Sequence, residues 1–344
     1  MRKALITKIV VMSLIAVFLI GALIYGLGNG FGVKDMINSN LKNTNSSMVN
    51  TYEYSQPVDH FDSIDIDWIS GNVWVRYYDG DVIKITEQTS RAVEENEMLV
   101  MEADGSALKI RWGQKKIFLG IFNLLNKQLT VELPRSMVLD TVKINSVSAG
   151  VTAEALSLGT LKMSSVSGAV DASGARGEEV NLSSTSGKIY AGDVFADELT
   201  AHTTSGKISL ESAVGIDSDV STVSGSIGIK GTFQNLRAKT VSGSISAVTD
   251  VLIDEVRLES VSGSVELTVP EDTSAKVNYS SISGNFNTSF NNGASGKKGE
   301  ISIGAGAGEI RFSTTSGSMS LKSGIKSVSV PTPQPAPTPA PEEE

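Results

Sequence analysis

A repeat of about 19 residues runs through most of the 344-residue chain and constrains its fold more than any other feature. Each copy carries the signature Thr/Ser-x-Ser-Gly-x-Val/Ile, and seven successive copies have their glycines at Gly168, Gly187, Gly206, Gly225, Gly243, Gly263 and Gly284. Outlying copies lie at Gly71 and Gly317, and Ala149 takes the glycine position in one more. A period of this length is typical of a solenoid, in which each repeat packs only against its neighbours.

The residues around each glycine alternate between apolar and polar. Apolar side chains stand seven and five residues before the glycine and two after it, as Leu161, Met163 and Val170 do around Gly168. This period of two predicts strands with one buried face, and Ser218 is the visible exception at an apolar position. We therefore predict an all-β fold, a single parallel β-solenoid with about 19 residues per coil and strands about 4.8 Å apart.

Two further properties of the solenoid follow from general rules. The coil is predicted to be right-handed, because parallel crossovers prefer that hand. Glycine is predicted at the corner because it adopts backbone angles that are closed to other residues.

Two stretches depart from the period. The interval from Gly71 to Ala149 is long enough for about four coils. The strands of these coils are predicted at four strand-like runs, Val82–Thr86, Met98–Glu102, Leu108–Trp112 and Leu129–Leu133. The stretch from Asn287 to Gly308 is rich in Gly, Ser and Asn and predicts an excursion loop.

The segments outside the repeat predict a membrane anchor. Residues 9–27 carry no charge, and a helix of that length spans about 28 Å, enough for the apolar core of a bilayer. Arg2, Lys3 and Lys8 precede this run, so the head is predicted to stay in the cytoplasm and the rest of the chain outside it. A cleaved signal peptide is the alternative, although its apolar core is usually only about 7–15 residues long.

The predicted order is a cytoplasmic head at 1–8, a transmembrane anchor at 9–27, a flexible spacer at 28–56, the solenoid at 57–325 and a Pro-rich disordered tail at 326–344. The protein is thus predicted to cross the cell membrane once and to hold its repeat domain on the extracytoplasmic side.

Composition excludes several kinds of chemistry. The chain has no cysteine, which removes disulfides, thiolate nucleophiles and iron–sulfur clusters, and its two histidines leave little for imidazole chemistry. The net charge of −9 disfavours binding to a phosphate backbone. We therefore predict no nucleic-acid partner, no cofactor and no metal site.

A column of hydroxyl residues stands three positions before the glycines. Its members are Ser146, Ser165, Ser184, Thr203, Thr222, Thr240, Ser260, Ser281 and Thr314. Their parity turns them inward, so we predict that they bond the backbone of neighbouring coils rather than a sugar.

The outward positions predict that the protein is not an enzyme. A glycosidase needs two carboxylates about 5–10 Å apart, and the outward residues flanking each glycine show no carboxylate column. Asp65 with Asp67, or Asp217 with Asp219, could hold a cation, but exposed carboxylates on strands are usually solvated. A polysaccharide-active enzyme remains the alternative.

One apolar segment interrupts the strand pattern and is the candidate contact site. Its residues are Lys115, Lys116, Ile117, Phe118, Leu119, Ile121, Phe122, Leu124 and Leu125. It could cap the open end of the solenoid, or it could dock onto a membrane surface or a partner protein.

These features together resemble the bacterial "putative adhesin" β-strand-repeat family. The resemblance is carried by the segment Ile64–Val73, the strand Leu129–Pro134 and the Ser-Gly repeats through Gly317, and it covers about Phe61 to Lys322. It implies a β-helix-like fold, a surface location and no established reaction, and some members are encoded beside cell-envelope stress systems.

We therefore expect a non-catalytic, membrane-anchored envelope protein that acts as a binding or scaffold module. Its expected partner is a membrane protein or a cell-wall polymer, with a link to the envelope stress response. A self-associating structural solenoid is the other alternative.

Overall fold

The computed structural model describes residues 48–58, 60–113, 125–251, 254–290 and 294–324. The chain divides into residues 1–48 and a compact unit, Val49–Glu344, to which the following description applies. Its described residues form 25 strands and one three-residue 3₁₀ helix, Glu95–Glu97, so the predicted all-β class is confirmed.

The strands follow in chain order as β1 Asn50–Pro57, β2 Ser63–Trp68, β3 Asn72–Tyr78, β4 Val82–Thr89, β5 Val100–Asp104, β6 Ala107–Arg111, β7 Lys127–Pro134, β8 Leu139–Ser146, β9 Gly150–Glu154, β10 Leu158–Ser165, β11 Val170–Asp171, β12 Arg176–Ser184, β13 Ile189–Gly192, β14 Phe195–Thr203, β15 Ile208–Thr222, β16 Ile227–Ser242, β17 Ile245–Thr249, β18 Glu255–Ser262, β19 Val265–Val269, β20 Ala275–Ser281, β21 Phe286–Thr288, β22 Ser295–Gly296, β23 Lys298–Ile303, β24 Gly308–Ser316 and β25 Met319–Ser323.

Each coil contributes one strand to face A and one to face B of the stack. Face A contains, in spatial order, β6, β2, β8, β10, β12, β14, the later parts of β15 and β16, β18, β24 and β20. Face B contains β7, β3, β9, β11, β13, the first parts of β15 and β16, β17, β19, β25 and β21. The described residues thus build eleven coils in parallel register.

Equivalent apolar residues stack in the interior as ladders. Leu161 on face A pairs with Val142 on one side and Val180 on the other, and Ile208 on face B pairs with Ile227. All five side chains are at most 1% exposed. The predicted stacking of one strand set per repeat is therefore confirmed.

The order of coils departs from the order in the chain at both ends. β2 lies between β6 and β8, so the first coil of the chain is the second coil of the stack. β24 likewise lies between β18 and β20, so the last coil of the chain is second from the other end.

The prediction of about four coils between Gly71 and Ala149 is wrong. Of the described strands in this interval, only β6 and β7 together form a further coil, whereas β4 and β5 pair antiparallel with their neighbours. The reason is the length of the connections, because two residues join β5 to β6 and three join β3 to β4. Such short connections suit antiparallel strands, since a parallel crossover needs a dozen residues or more.

Antiparallel strands cover both ends of the stack. At one end β4 pairs with β7, β1 pairs with β4, and β5 pairs with β6. At the other end β23 pairs with β20 and β22 with β21, so the predicted excursion loop, 287–308, contains two strands. β1 covers the end of the predicted spacer, 28–56, and the compact unit begins at Val49.

The serine–glycine corner requires glycine for a different reason from the one predicted. Among the repeat glycines only Gly71 and Gly263 have positive φ, 90° and 154°. At Gly206 a Cβ would instead overlap the carbonyl oxygen of Gly187 in the preceding coil, far inside the 3.0 Å that real Cβ atoms respect. Close stacking of coils, more than backbone conformation, therefore excludes a side chain.

The hydroxyl column points inward and bonds the backbone, as predicted. Ser184 Oγ accepts a hydrogen bond from the backbone N–H of Gly187 (2.9 Å) and donates one to the carbonyl of Gly168 (3.3 Å). Thr203 repeats this pattern with Gly206 and Gly187. Ser184 and Thr203 thus link their own corner to the corner of the neighbouring coil, whereas Thr314 Oγ1 is buried without a hydrogen-bond partner among the described residues.

Among the described residues, no helix has the length and apolar character that crossing a membrane requires. The predicted head at 1–8, anchor at 9–27 and tail at 326–344 lie outside the described residues, as does most of the spacer. The right-handed winding of the coil stays a prediction.

Candidate binding surfaces

Of the predicted contact residues, the structure describes Leu125 alone. Its side chain is 8% exposed, and its carbonyl oxygen accepts a hydrogen bond from Ser70 Oγ at 3.2 Å. Leu125 is therefore buried, and the contact site as a whole stays a prediction. Lys115, Lys116, Ile117, Phe118, Leu119, Ile121, Phe122 and Leu124 lie outside the described residues.

A buried charged cluster lies next to this segment. Lys127 and Glu87 are both fully buried, and Lys127 Nζ donates a hydrogen bond to Glu87 Oε1 at 2.7 Å and another to the carbonyl of Glu97. The ammonium also lies 4.5 Å from the ring centroid of Trp112 and 5.7 Å from that of Trp68. Burial lowers the pKa of Lys127, and its hydrogen bond to Glu87 opposes that shift.

The same edge of the domain receives the chain from residues 1–48. Asn50 at the start of β1 pairs with Thr89 of β4, and Thr89 pairs with Lys127 at the start of β7. Two strand spacings therefore separate the entry of the chain from the point where segment 114–124 rejoins the domain, a distance of about 10 Å. Both connections leave from one edge at one end of the stack.

A polar groove crosses face A at the opposite end of the stack. It consists of two adjoining depressions with volumes of about 290 Å³ and 600 Å³, which share Arg257. The first lies over β14, β15, β16 and β18, and the second over β18, β24, β20 and β23. Together they cross six parallel strands of face A, a path of about 25 Å.

Two ladders, charged except at Asn235, run along face A, and part of each lines this groove. Arg237, Arg257 and Arg311 are direct partners on adjacent strands. Beside them, eight residues before the corner glycines, runs a ladder of Glu179, Glu198, Asp217, Asn235, Glu255 and Glu309. The conclusion from the sequence that no carboxylate column exists is therefore wrong, because it compared only positions closer to each glycine.

Ion pairs between the two ladders differ from coil to coil. Arg257 lies 3.1 Å from Glu255 and Arg311 lies 2.6 Å from Glu309, whereas Arg237 has no ion pair among the described residues. The hydrogen bond from Arg311 lowers the pKa of Glu309 and raises the pKa of Arg311. Glu309 is thereby held in its ionised form.

The aspartate pairs considered as cation sites have protein partners. Asp67 accepts a hydrogen bond from Asn145 at 2.8 Å and pairs with Arg111, which also lies 3.6 Å from Asp65. Asp217 accepts a hydrogen bond from Asn235 at 2.8 Å. Within the described ranges, no three His, Cys, Asp or Glu side chains are grouped as metal ligands.

A ridge of β-branched residues follows the serine–glycine corner on the outside of the stack. Its apolar members stand two residues before the glycine position of their repeat. They are 39% to 74% exposed: Val147, Val223, Val241, Val261 and Ile282. The backbone of this ridge is bonded from coil to coil, as from Val241 N to Val223 O at 3.2 Å.

Comparison with known proteins identifies the family. The family model described as Toastrack DUF4097 matches residues 61–322. The chain belongs to the Toastrack family. This confirms the resemblance noted from the sequence, and its range agrees with the repeat domain.

Solved structures share this fold at low sequence identity. A "putative lipid binding protein" of Parabacteroides distasonis is 18% identical with a TM-score of 0.50, over 79% of this chain and 96% of that one. A "putative adhesin" of Parabacteroides merdae is 15% identical with a TM-score of 0.50, over 79% and 96% of the two chains. No curated protein matches the sequence significantly.

Proposed function

We propose that this Toastrack protein is a membrane-anchored, non-catalytic binding module of the bacterial cell envelope, with its solenoid outside the cytoplasm. One observation carries the proposal: Asn50, Thr89 and Lys127 lie in one row across β1, β4 and β7. The chain that follows the proposed anchor at 9–27 therefore enters β1 on the same edge at which the chain that follows Lys115–Leu125 enters β7. This end of the stack is then the membrane-facing end.

The chemistry of the apolar segment supports the same assignment. Ile117, Phe118, Leu119, Ile121 and Phe122 follow Lys115 and Lys116. Large apolar side chains inserted at a bilayer surface contribute about 1.5–3 kcal/mol each, less the cost of ordering them. Lysines near anionic headgroups add about 1 kcal/mol each. The proposed contacts are the membrane surface, or a membrane protein that presents a similar face.

Vesicle flotation tests this assignment directly. Residues 49–344 form a compact unit, and without the anchor this unit should float with vesicles that contain anionic lipid. A related structure described as lipid-binding makes such vesicles a reasonable first probe. The variant Phe118→Ser/Phe122→Ser should lose flotation, because it removes two large apolar contacts.

A matched control keeps the result specific. Val223→Ser/Val261→Ser removes two exposed apolar side chains from the corner ridge and should leave flotation unchanged. If the parent stays with the unbound protein, and no membrane partner cross-links through the segment, the segment is a cap of the solenoid and the assignment fails. The proposed link to envelope stress needs a separate test, such as reporter induction in a deletion strain.

A polysaccharide-active enzyme is the second candidate, and the acidic ladder on face A is the observation in its favour. A glycosidase acid has a raised pKa so that it can donate a proton. Glu309 has a lowered pKa instead, because Arg311 binds its carboxylate. Incubation of the domain with a panel of glycans should therefore release no reducing ends, and release that depends on this ladder would establish the enzyme.

A further inference from the structure

The polar groove on face A presents hydrogen-bond acceptors and donors in two parallel rows. Glu198, Asp217 and Glu255 supply carboxylate oxygens, and Arg237, Arg257 and Arg311 supply guanidinium N–H groups. The arginines lie on three successive strands about 4.8 Å apart, and the carboxylates lie on β14, β15 and β18, with Asn235 between them on β16. A ligand that fits must therefore be elongated along the stack and must offer both donors and acceptors at regular intervals.

The fold does not require these side chains. The position that holds the three arginines is occupied by Asn181 and Thr200 in earlier coils and by Asn278 in the last coil. Like charges directly opposite each other on neighbouring strands lower stability. The three successive arginines form a longer run of like charge at this position than the two successive lysines, Lys143 and Lys162, of the earlier coils.

Unused hydrogen-bonding capacity is concentrated in the groove. A guanidinium carries five N–H donors, and Arg237 uses none of them with the described residues, while Arg257 and Arg311 each contact one carboxylate. Thr200 Oγ1 is also without a hydrogen-bond partner in the described structure. The unused N–H groups of the three arginines can bind a polar ligand, whereas Thr200 Oγ1 is buried away from solvent.

The balance of charge selects the chemical class. Four cationic side chains and six carboxylates line the two depressions. The net negative charge of the groove would repel a polyanion, and the arginine ladder would repel a polycation. A chain of hydroxyl groups satisfies both rows, because each hydroxyl can donate to a carboxylate and accept from a guanidinium.

We infer that the face A groove binds a linear, uncharged polysaccharide lying along the axis of the stack, across the strands. This deepens the proposed binding role and rests on it. Arg237, within the groove, lies seven coils from the coil that contains β7, a distance of about 35 Å. In the proposed orientation the groove opens on the side of the stack at a distance from the membrane, where a wall glycan would be met.

Co-sedimentation with insoluble glycans tests the inference. The full-length protein, kept soluble in a detergent without a sugar headgroup, is mixed with wall glycan stripped of anionic polymers, and with chitin and cellulose. The parent should sediment with at least one of them. Arg237→Asn/Arg257→Asn should bind at least about tenfold more weakly, since losing two charged donors costs well over the 1.4 kcal/mol that corresponds to a factor of ten.

The control likewise replaces two cations by asparagine, on the same ladder but outside the groove. Lys143→Asn/Lys162→Asn changes two cations whose strands, β8 and β10, do not line either depression. It should bind like the parent, and both variants should melt close to the parent temperature because asparagine already occupies this ladder at Asn181 and Asn278.

Three results would overturn the inference. The parent could fail to bind any uncharged glycan, the two double variants could bind equally well, or binding could require phosphate or carboxylate groups on the polymer and vanish in salt. A protein that floats with vesicles but binds no glycan overturns the groove assignment and leaves the proposed membrane role standing.

Discussion

At the scale of single residues, the serine–glycine corner accepts glycine because it has no room for a Cβ. Gly206→Ala would place a Cβ against the carbonyl of Gly187, and relief is not easy because the overlapping atoms belong to the backbone. We expect a loss of at least about 2 kcal/mol in the free energy of unfolding. Chemical denaturation of the domain would measure it.

Gly228 provides the control for that substitution. A Cβ there lies 3.9 Å from the carbonyl oxygen of Ile208, an ordinary contact, and its φ is not in the left-handed region. Gly228→Ala should be neutral, or stabilising by up to about 1 kcal/mol through the unfolded chain. Equal losses at the two glycines would show that coil spacing does not set the residue type.

A second residue-scale prediction concerns the buried ladder. Ile227 is 1% exposed and pairs with Ile208 and Ile245, so Ile227→Asp places a charge without a partner in the core. It should cost several kcal/mol and unfold part of the stack at moderate temperature, whereas the exposed Lys207→Asp should change stability by about 0.5 kcal/mol or less. Thermal melting of both variants checks the register, and similar melting temperatures would contradict it.

The periodicity of the sequence predicted the buried interior well. It also predicted the serine–glycine corner, but not the reason why glycine is required there. Ser218 stood out in the sequence as the break in an apolar column, and it is indeed buried, at 5% exposure. A second corner was missed, with left-handed backbone at Ala155, Gly174, Asp193 and Ser212. Those positions are 19 residues apart but share no side-chain chemistry, so the sequence offered little signal.

At the scale of elements, one buried ion pair fixes β7 to β4. Lys127→Met leaves Glu87 buried without its partner and should cost about 3–5 kcal/mol. Lys127→Met/Glu87→Met removes the stranded charge and should recover a large part of that loss. A double-mutant cycle by chemical denaturation measures the coupling.

An exposed pair serves as the reference for this cycle. Lys162 lies 3.2 Å from Glu179 on the solvent-exposed surface. Because exposed ion pairs contribute little, Lys162→Met should change stability by no more than about 1 kcal/mol. A double variant at Lys127 and Glu87 that is less stable than Lys127→Met would contradict the account.

The antiparallel strands at the ends were the part of the fold that periodicity could not supply. Val82–Thr86 and Met98–Glu102 were predicted as strands and lie within or largely within β4 and β5. They were predicted to be parallel and are antiparallel. The direction of a strand depends on the length of its connections and on which neighbouring strand is left to pair with, and the alternation of side chains carries no information about either. β1 was missed because its alternation is between half-buried and exposed residues, without a fully buried side.

At the scale of the whole molecule, the account assigns different roles to the two ends of the stack. The end formed by β1, β4 and β7 is proposed to face the membrane, and the groove near the other end is proposed to bind glycan. The groove could not be located from the sequence, because its ladders combine residues from β18 and β24, strands that the chain order does not place side by side.

The most direct test of this orientation uses the absence of native cysteine. Thr51→Cys on β1 and Asn285→Cys beside β21 each introduce one exposed label site, at opposite ends of a stack about 50 Å long. The full-length protein is labelled with a fluorophore, reconstituted into vesicles and titrated with nitroxide lipids. The account predicts strong quenching at position 51 and little at position 285, whereas equal quenching at both, or stronger quenching at position 285, would contradict it.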